Sequence, residues 1–361
     1  MNILILGNGQ LGQMLGKAVI QQGHQCILYS DRQQQVMPLA SDQPLPMSLD
    51  EAKAWADVVT WEHEHLGEAL VEQTHDKFLI KAERFNQLTD RRTQKSLCDE
   101  LGVPTSPWQA YQTTDELRDI LSNCDKAVVI KSARGGYDGK GQWRWKPGQD
   151  ADPIIQEAGQ RPGIVEDMIP FSHEVSVVAA RDHHGEQRGY PLTLNVHNDG
   201  ILAYSMAGAQ QFTDELEALA QQYHQKLTDH IDYIGVLAIE FFVVGEGEQQ
   251  QLLVNEIAPR VHNSGHWTMS GANCDQFNLH IRCITGLPLP EFLVAPTLMI
   301  NAIGVDGLPE VLWEASAADC HWYGKAPRPG RKVGHVNFMI DTFERGEKLA
   351  SQWCDELIKL A

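Results

Sequence analysis

Residues 236–266 read VLAIEFFVVGEGEQQQLLVNEIAPRVHNSGH. Two apolar runs rich in β-branched residues flank a polar turn containing Gly245 and Gly247, the pattern of a β-hairpin. Each run carries one carboxylate where a core side chain is expected, Glu240 and Glu256. In a hairpin symmetric about Glu248 these two are cross-strand partners on one face. Like charges facing each other cost a sheet roughly 0.2–1 kcal/mol, and more when desolvated. Something has to neutralise them. A hard divalent cation with oxygen ligands does so; the alternatives are pairing of one glutamate with Arg260, or a slipped register. Directly beyond Glu256, Arg260, His262, Asn263, Ser264 and His266 form a dense polar run after a buried strand, the composition of an active-site floor.

The 361 residues suffice for two or three domains. A net charge of -19 argues against nucleic acid or an anionic membrane as the main partner. It leaves room for a phosphorylated small molecule, which the basic cluster Lys325–Lys332 could take. Seven scattered cysteines, odd in number and without a CxxC pair, argue against zinc and against a disulfide framework and fit a reducing compartment. The opening MNILILGNG reads as a strand rather than a signal peptide, and no apolar run is long enough for a bilayer. A cytoplasmic protein is expected.

Taken in order, Asn2–Leu6 is a buried strand, and Gly7-Asn8-Gly9-Gln10-Leu11-Gly12 opens a helix to about Gln22. A second strand, Gln25–Tyr29, ends at Asp31, so this stretch alone carries the dinucleotide fingerprint with its ribose-binding acid. After Asp31 the chain reads as irregular. Strand Asp57–Trp61 runs into Glu62-His63-Glu64-His65, where adjacent side chains point apart; a single carboxylate contacting substrate fits better there than a metal. Asn86–Leu101 reads as one helix, with Arg91, Arg92 and Lys95 on what composition describes as a solvated face. Strand Ala127–Lys131 precedes a loop with four glycines in seven residues (Gly135–Gly141), whose N–H groups can cradle phosphate. It lacks GK[ST], so it is no Walker loop. Gly163–Ile169 leads to a hinge at Pro170, and Glu174–Ala180 and Tyr190–His197 are further strands. Helices are expected over Thr213–Ile231, Asp275–Thr285 and from Arg345, with strands at Leu298–Ile303 and His335–Met339.

The motifs GNGQLGQML, LTDRRTQK, GGYDGKGQW, NEIAPRVHNSGHWT and RPGRKVGH, spread from residue 7 to residue 335, resemble the ATP-grasp superfamily and, within it, the N5-carboxyaminoimidazole ribonucleotide synthetases of purine biosynthesis. The resemblance implies an α/β and α+β ATP-grasp architecture. Its expected parts are a Rossmann-like N-terminal domain (1–95), a small mobile lid domain (96–170), a catalytic domain (171–296) and a small C-terminal subdomain completing the substrate site (297–361). It implies a ligase that uses ATP and bicarbonate to carboxylate 5-aminoimidazole ribonucleotide through carboxyphosphate, with Mg2+ or Mn2+, as a homodimer.

By position in the matching motifs, the implied ATP contacts are Arg91, Lys131, the loop Gly136, Tyr137, Asp138, Gly139, Lys140, Gly141 and Gln142, the hinge Glu166, Asp167, Met168 and Ile169, and Glu174, His197, Asn255 and Glu256. Glu240 and Glu256 would hold the metal. Gln10, Leu11, Glu62, Tyr137, Asn263, Lys325, Arg331 and Lys332 would form the ribonucleotide site, with Arg331 and Lys332 on its phosphate. Arg260 would bind bicarbonate, and Asp138 would assist proton removal from the amine; Asp138, Arg260 and Lys332 are the implied catalytic group. Two departures stand out: Ala258 where many ATP-grasp members have Asn, and Lys140 where some relatives have Arg. The competing readings are a formate-dependent glycinamide ribonucleotide transformylase, an NAD-dependent dehydrogenase built on Gly7–Gly12 and Asp31, and a non-catalytic nucleotide-binding regulator.

Overall fold

A computed structural model describes residues 1–136, 141–209, 212–310, 312 and 318–360. Among these, three sheets are present. In the first, Asn2–Leu6 lies between parallel neighbours Gln25–Ser30 and Val58–Trp61, and Gln35–Met37 adds an antiparallel edge. That edge strand falls in the stretch expected to be irregular. It has only three residues, too few to show a period.

The central sheet is antiparallel. Its order is Gln251–Ala258, Gly235–Val244, His173–Arg181, Thr193–Asn198, Ile201–Ala207, Thr297–Ile303, Lys332–Met339, Ala318–Trp322, with Gln187–Gly189 beside His173–Arg181. Strands Thr193–Asn198 and Ile201–Ala207 are joined by Asp199-Gly200, with φ of 50° and 78°, which suits the right-handed twist of a tight hairpin. The third sheet, ordered Trp108–Tyr111, Gly163–Asp167, Val128–Ser132, Gln142–Trp145, carries two helices, Thr114–Ser122 and Asp152–Ala158.

Two expected boundaries can be set beside the elements that surround them. The strands after residue 297 continue the central sheet, because Thr297–Ile303 pairs with Ile201–Ala207. The 95/96 boundary falls inside helix Arg91–Leu101. The single helix expected over Asn86–Leu101 is two, since the Asp90 carboxylate accepts from Arg92 N–H and caps a new start after Ala82–Gln87.

Packing follows the same divisions. Leu4, Leu6, Trp61 and Phe85 of the N-terminal unit share one core with Val177, Leu237 and Ile257 of the central sheet. The third sheet has its own core of Tyr111, Leu117, Ile130, Trp145 and Val165. A unit with a separate core can turn as a body without opening its neighbour's. No described helix is long and apolar enough to cross a membrane.

Candidate active site

The hairpin pairs Glu240 directly with Glu256. Nearer the turn the pairing is Phe241 with Val254, so the register shifts and Asn255 is the extra residue. A bulge of this kind sets two residues against one. Asn255 and Glu256 therefore both oppose Glu240, and all three line one cavity. Burial above all, joined by the charges of Glu256 and Glu174 against the pull of His197, lifts the Glu240 carboxyl to about 7. His262 Nε2 lies 3.7 Å from Glu240, and Arg91 Nη2 3.2 Å from Glu256. No group of three or more His, Cys, Asp or Glu side chains poised for a metal occurs among the described residues. Two adjacent carboxylates nevertheless suit a hard cation whose other ligands come from water and a phosphorylated substrate.

Helix Arg91–Leu101 contributes inward, not outward. Arg91 and Lys95 are both buried, which corrects the solvated face inferred from composition. Arg91 Nη1 donates to the Ser132 and Gly135 carbonyls (3.0 and 2.7 Å), and Nη2 to that of Gly136 (3.4 Å), pinning the base of the glycine-rich loop. Lys131 Nζ is 2.7 Å from Glu166 and donates to Asn255 Oδ1 at 2.9 Å. Glu166 lines the cavity, but its carboxylate lies between Lys131 and Lys95. Burial alone would raise that carboxyl; the two ammonium groups outweigh it and bring it to about 2. Asp167 turns its side chain to Lys126, 3.0 Å away. The N–H groups of Asp167 and Met168 are used by the Pro107 and Ala127 carbonyls. Met168, Ile169, Phe242 and Val129 form an apolar end of the cavity, with Glu174 and His197, themselves in contact, beside it. Gly136 and Gln142 line the cavity, whereas Gly141 spends its carbonyl on Ser132 N–H. Tyr137, Asp138, Gly139 and Lys140 lie outside the described residues.

At the opposite end, Glu62 fills the cradle of the glycine motif. Its carboxylate accepts from Gly9 N–H (3.1 Å) and Gly12 N–H (2.8 Å). A Cβ on Gly9 would meet Glu62 Oε1 at 2.7 Å, and Gly7, at φ 116°, has no room for one either. The glycines thus make space for an internal carboxylate where a dinucleotide phosphate would sit. Asp31 bonds Gln34 and does not reach the cavity. Both observations remove the dinucleotide reading.

Gln10 and Leu11 line the cavity; Gln10 Oε1 accepts from Lys325 Nζ at 2.9 Å. Lys325 does not itself line it, nor does Arg331, which donates to the Ala326 carbonyl of its own loop at 2.9 Å. Lys332 does, in contact with Asn263. Lys325 and Lys332 both stand over the Tyr323 ring, 5.4 and 5.8 Å from its centroid.

Arg260 lines the cavity but is not alone there: its Nε is 2.6 Å and Nη2 3.4 Å from the Glu64 carboxylate. Glu64 is almost fully buried. Burial would raise its carboxyl, but the Arg260 charge, with His65 and the Arg260 hydrogen bonds, brings it to about 2. Glu64 and Lys95 are functional candidates that sequence reading left unassigned. A buried strand emptying into an acidic run was the signal for the first; the four-residue spacing from Arg91 was the signal for the second.

Of these groups, Arg91, Lys131, Glu240, Glu256, Arg260 and Lys332 line a single cavity of about 890 Å³. Comparisons with known proteins fit it. The ATP-grasp domain family matches residues 96–277, and the phosphoribosylaminoimidazole carboxylase C-terminal domain matches residues 297–348. The chain is 42% identical over 339 residues to N5-carboxyaminoimidazole ribonucleotide synthase of Haemophilus influenzae, covering 93% of this chain and 88% of that one. The crystal structure of the synthetase from Thermus thermophilus superposes with a TM-score of 0.84 at 34% identity, covering 99% and 98% of the two chains. That of the synthase from Aspergillus clavatus, in complex with ADP and 5-aminoimidazole ribonucleotide, gives 0.83 at 25% identity, covering 98% of each.

Proposed function

Since the chain belongs to the N5-carboxyaminoimidazole ribonucleotide synthase family of ATP-grasp enzymes, we propose a division of labour among its own residues. The protein is a carbon–nitrogen ligase that carboxylates 5-aminoimidazole ribonucleotide at the expense of ATP, in purine biosynthesis. In our reading bicarbonate supplies the carbon. A bicarbonate oxygen attacks the γ-phosphorus, the bond to the β-phosphate oxygen breaks, and ADP leaves. The exocyclic amine then attacks the carboxyl carbon of carboxyphosphate, the carbon–oxygen bond to phosphate breaks, and the amine proton is lost.

The observation that carries this reading is one continuous cavity from Met168 and Ile169, past Lys131, Glu240 and Glu256, to Arg260, Asn263 and Lys332. Adenine would lie against the apolar end. With the Asp167 and Met168 N–H groups bonded to the Pro107 and Ala127 carbonyls, the Ile169 N–H would be the hinge donor for its edge. Glu174 and His197 would take the ribose side. Lys131, with Arg91 and the loop around Gly136 and Gln142, would hold the phosphates. A divalent cation, Mg2+ in this reading, would sit on Glu240 and Glu256 and offset charge on the transferring phosphoryl group.

Arg260, held by Glu64 and by the Val261 carbonyl that accepts from its Nη1 at 3.2 Å, would present its remaining N–H bonds to bicarbonate. Lys332 and Asn263, supported by Lys325 through Gln10 and by Arg331 from its loop, would take the ribonucleotide; Glu62 would order the loop that carries Gln10 and Leu11. Asp138 would accept the amine proton. Carboxyphosphate is short-lived in water, so exclusion of solvent matters. Residues 108–167, with their separate core, would serve as the lid, and the remaining sheets as the body. A homodimer in the cytoplasm completes the reading, tested by sedimentation and cell fractionation.

The deciding assay is ADP release with Mg-ATP and bicarbonate, with and without 5-aminoimidazole ribonucleotide, and with glycinamide ribonucleotide plus formate as control. Turnover dependent on the aminoimidazole substrate and bicarbonate is expected. A response only to the control would replace the substrate, and binding without turnover would favour a regulator.

A further inference from the structure

Lys95 follows Arg91 by one helical turn, so both project from one face of helix Arg91–Leu101. Its Nζ lies 2.5 Å from Glu166 Oε1 and 3.3 Å from the Val254 carbonyl, and contacts Thr105 Oγ1. Thr105 in turn donates to that same carbonyl at 2.7 Å. One ion-pair partner and two hydrogen-bond acceptors surround the ammonium group, and Lys95 does not line the cavity. Lys131 does. It is ion-paired with the other Glu166 oxygen and donates to Asn255 at the cavity wall.

The side chains of Lys95, Glu166 and Lys131 are each 7% exposed or less, so solvent screens them little. Two cations and one carboxylate sum to one positive charge. Without Lys95 the sum is zero, and Glu166 would close on Lys131 alone.

We propose that Lys95 is a positioning residue of the ATP site, holding Glu166 from behind so that Lys131 offers an uncancelled positive charge to the nucleotide phosphates. This rests on the reading of Lys131 as a phosphate contact.

The test is steady-state kinetics on wild type, Lys131→Met, Lys95→Met and the double variant Lys95→Met/Glu166→Gln. Lys131→Met is expected to raise KM for ATP roughly tenfold or more, the scale of a lost charge-assisted contact. If it does not, the phosphate reading falls and the proposal with it. Given that rise, Lys95→Met is expected to raise KM for ATP comparably and leave KM for the ribonucleotide nearly unchanged. The double variant restores the buried sum of one positive charge and is expected to recover most of the loss. A wild-type KM for ATP in Lys95→Met overturns the proposal alone. So does a double variant no better than Lys95→Met, the result for a merely structural lysine. Should Lys95→Met fail to fold by circular dichroism, the double variant decides: KM for ATP well below that of Lys131→Met supports the proposal, and an equal value overturns it.

Discussion

Glu64→Gln isolates the ion pair that carries Arg260. In the native protein the Glu64 carboxyl is brought from its ordinary 4.5 down to about 2. At about 1.4 kcal/mol per pH unit, that difference corresponds to roughly 3 kcal/mol of native-state stability. Because the folded value is depressed, the contribution is complete above the unfolded value near 4.5 and is lost as pH falls toward 2. An independent scale agrees: removing one partner of a buried pair costs about 3–5 kcal/mol. The lower end is expected here, since Glu256 and Glu240 also act on Arg260. Gln keeps the shape and removes the charge. Urea unfolding of the cation-free protein, followed by circular dichroism from pH 7 to pH 3, should place Glu64→Gln about 3 kcal/mol below wild type at pH 7, with the gap narrowing once pH drops below 4.5. KM for bicarbonate should rise in the same variant, because Arg260 loses the partner that aims it. Equal stability at pH 7, or a gap that does not change with pH, would refute the reasoning.

Glu256→Gln should leave the circular dichroism spectrum intact and abolish turnover dependent on a divalent cation; near-wild-type rates would remove the metal assignment. Lys332→Ala should raise KM for the ribonucleotide while sparing that for ATP, and a selective effect on ATP would misplace the basic loop. In Gly12→Ala the added Cβ would collide with the Gly7 carbonyl and stand 3.0 Å from Glu62 Oε2. A stability loss of about 1–3 kcal/mol is expected from such overpacking, and an unchanged urea midpoint would contradict the account of the glycine loop.

Much of the site was legible because its signals are local. The paired glutamates announce themselves by interrupting two apolar strands, and the structure keeps them opposite each other. The expected dinucleotide fingerprint shows the limit of such reading. Strand, glycines and helix are present as expected, yet Glu62, 50 residues beyond Gly12, occupies the amides a phosphate would need. Arg91, Arg92 and Lys95 look alike in sequence. Arg92 stays near the surface on Asp90, while the other two are buried. No local pattern separates them, because burial of a cation depends on whether a distant acceptor meets it.

Alternation of apolar residues, turn-forming glycines and capping side chains act over a few residues, so sequence alone determined most of the strands and helices, the hairpin and the carboxylates it carries. Docking decided the rest. The bulge at Asn255 sets Asn255 and Glu256 together opposite Glu240, Arg260 meets Glu64 across 196 residues, and the strands after 297 join the central sheet. Buried charges are stable only where partners neutralise them, and those partners are brought within reach by packing of the whole chain rather than by any stretch of it.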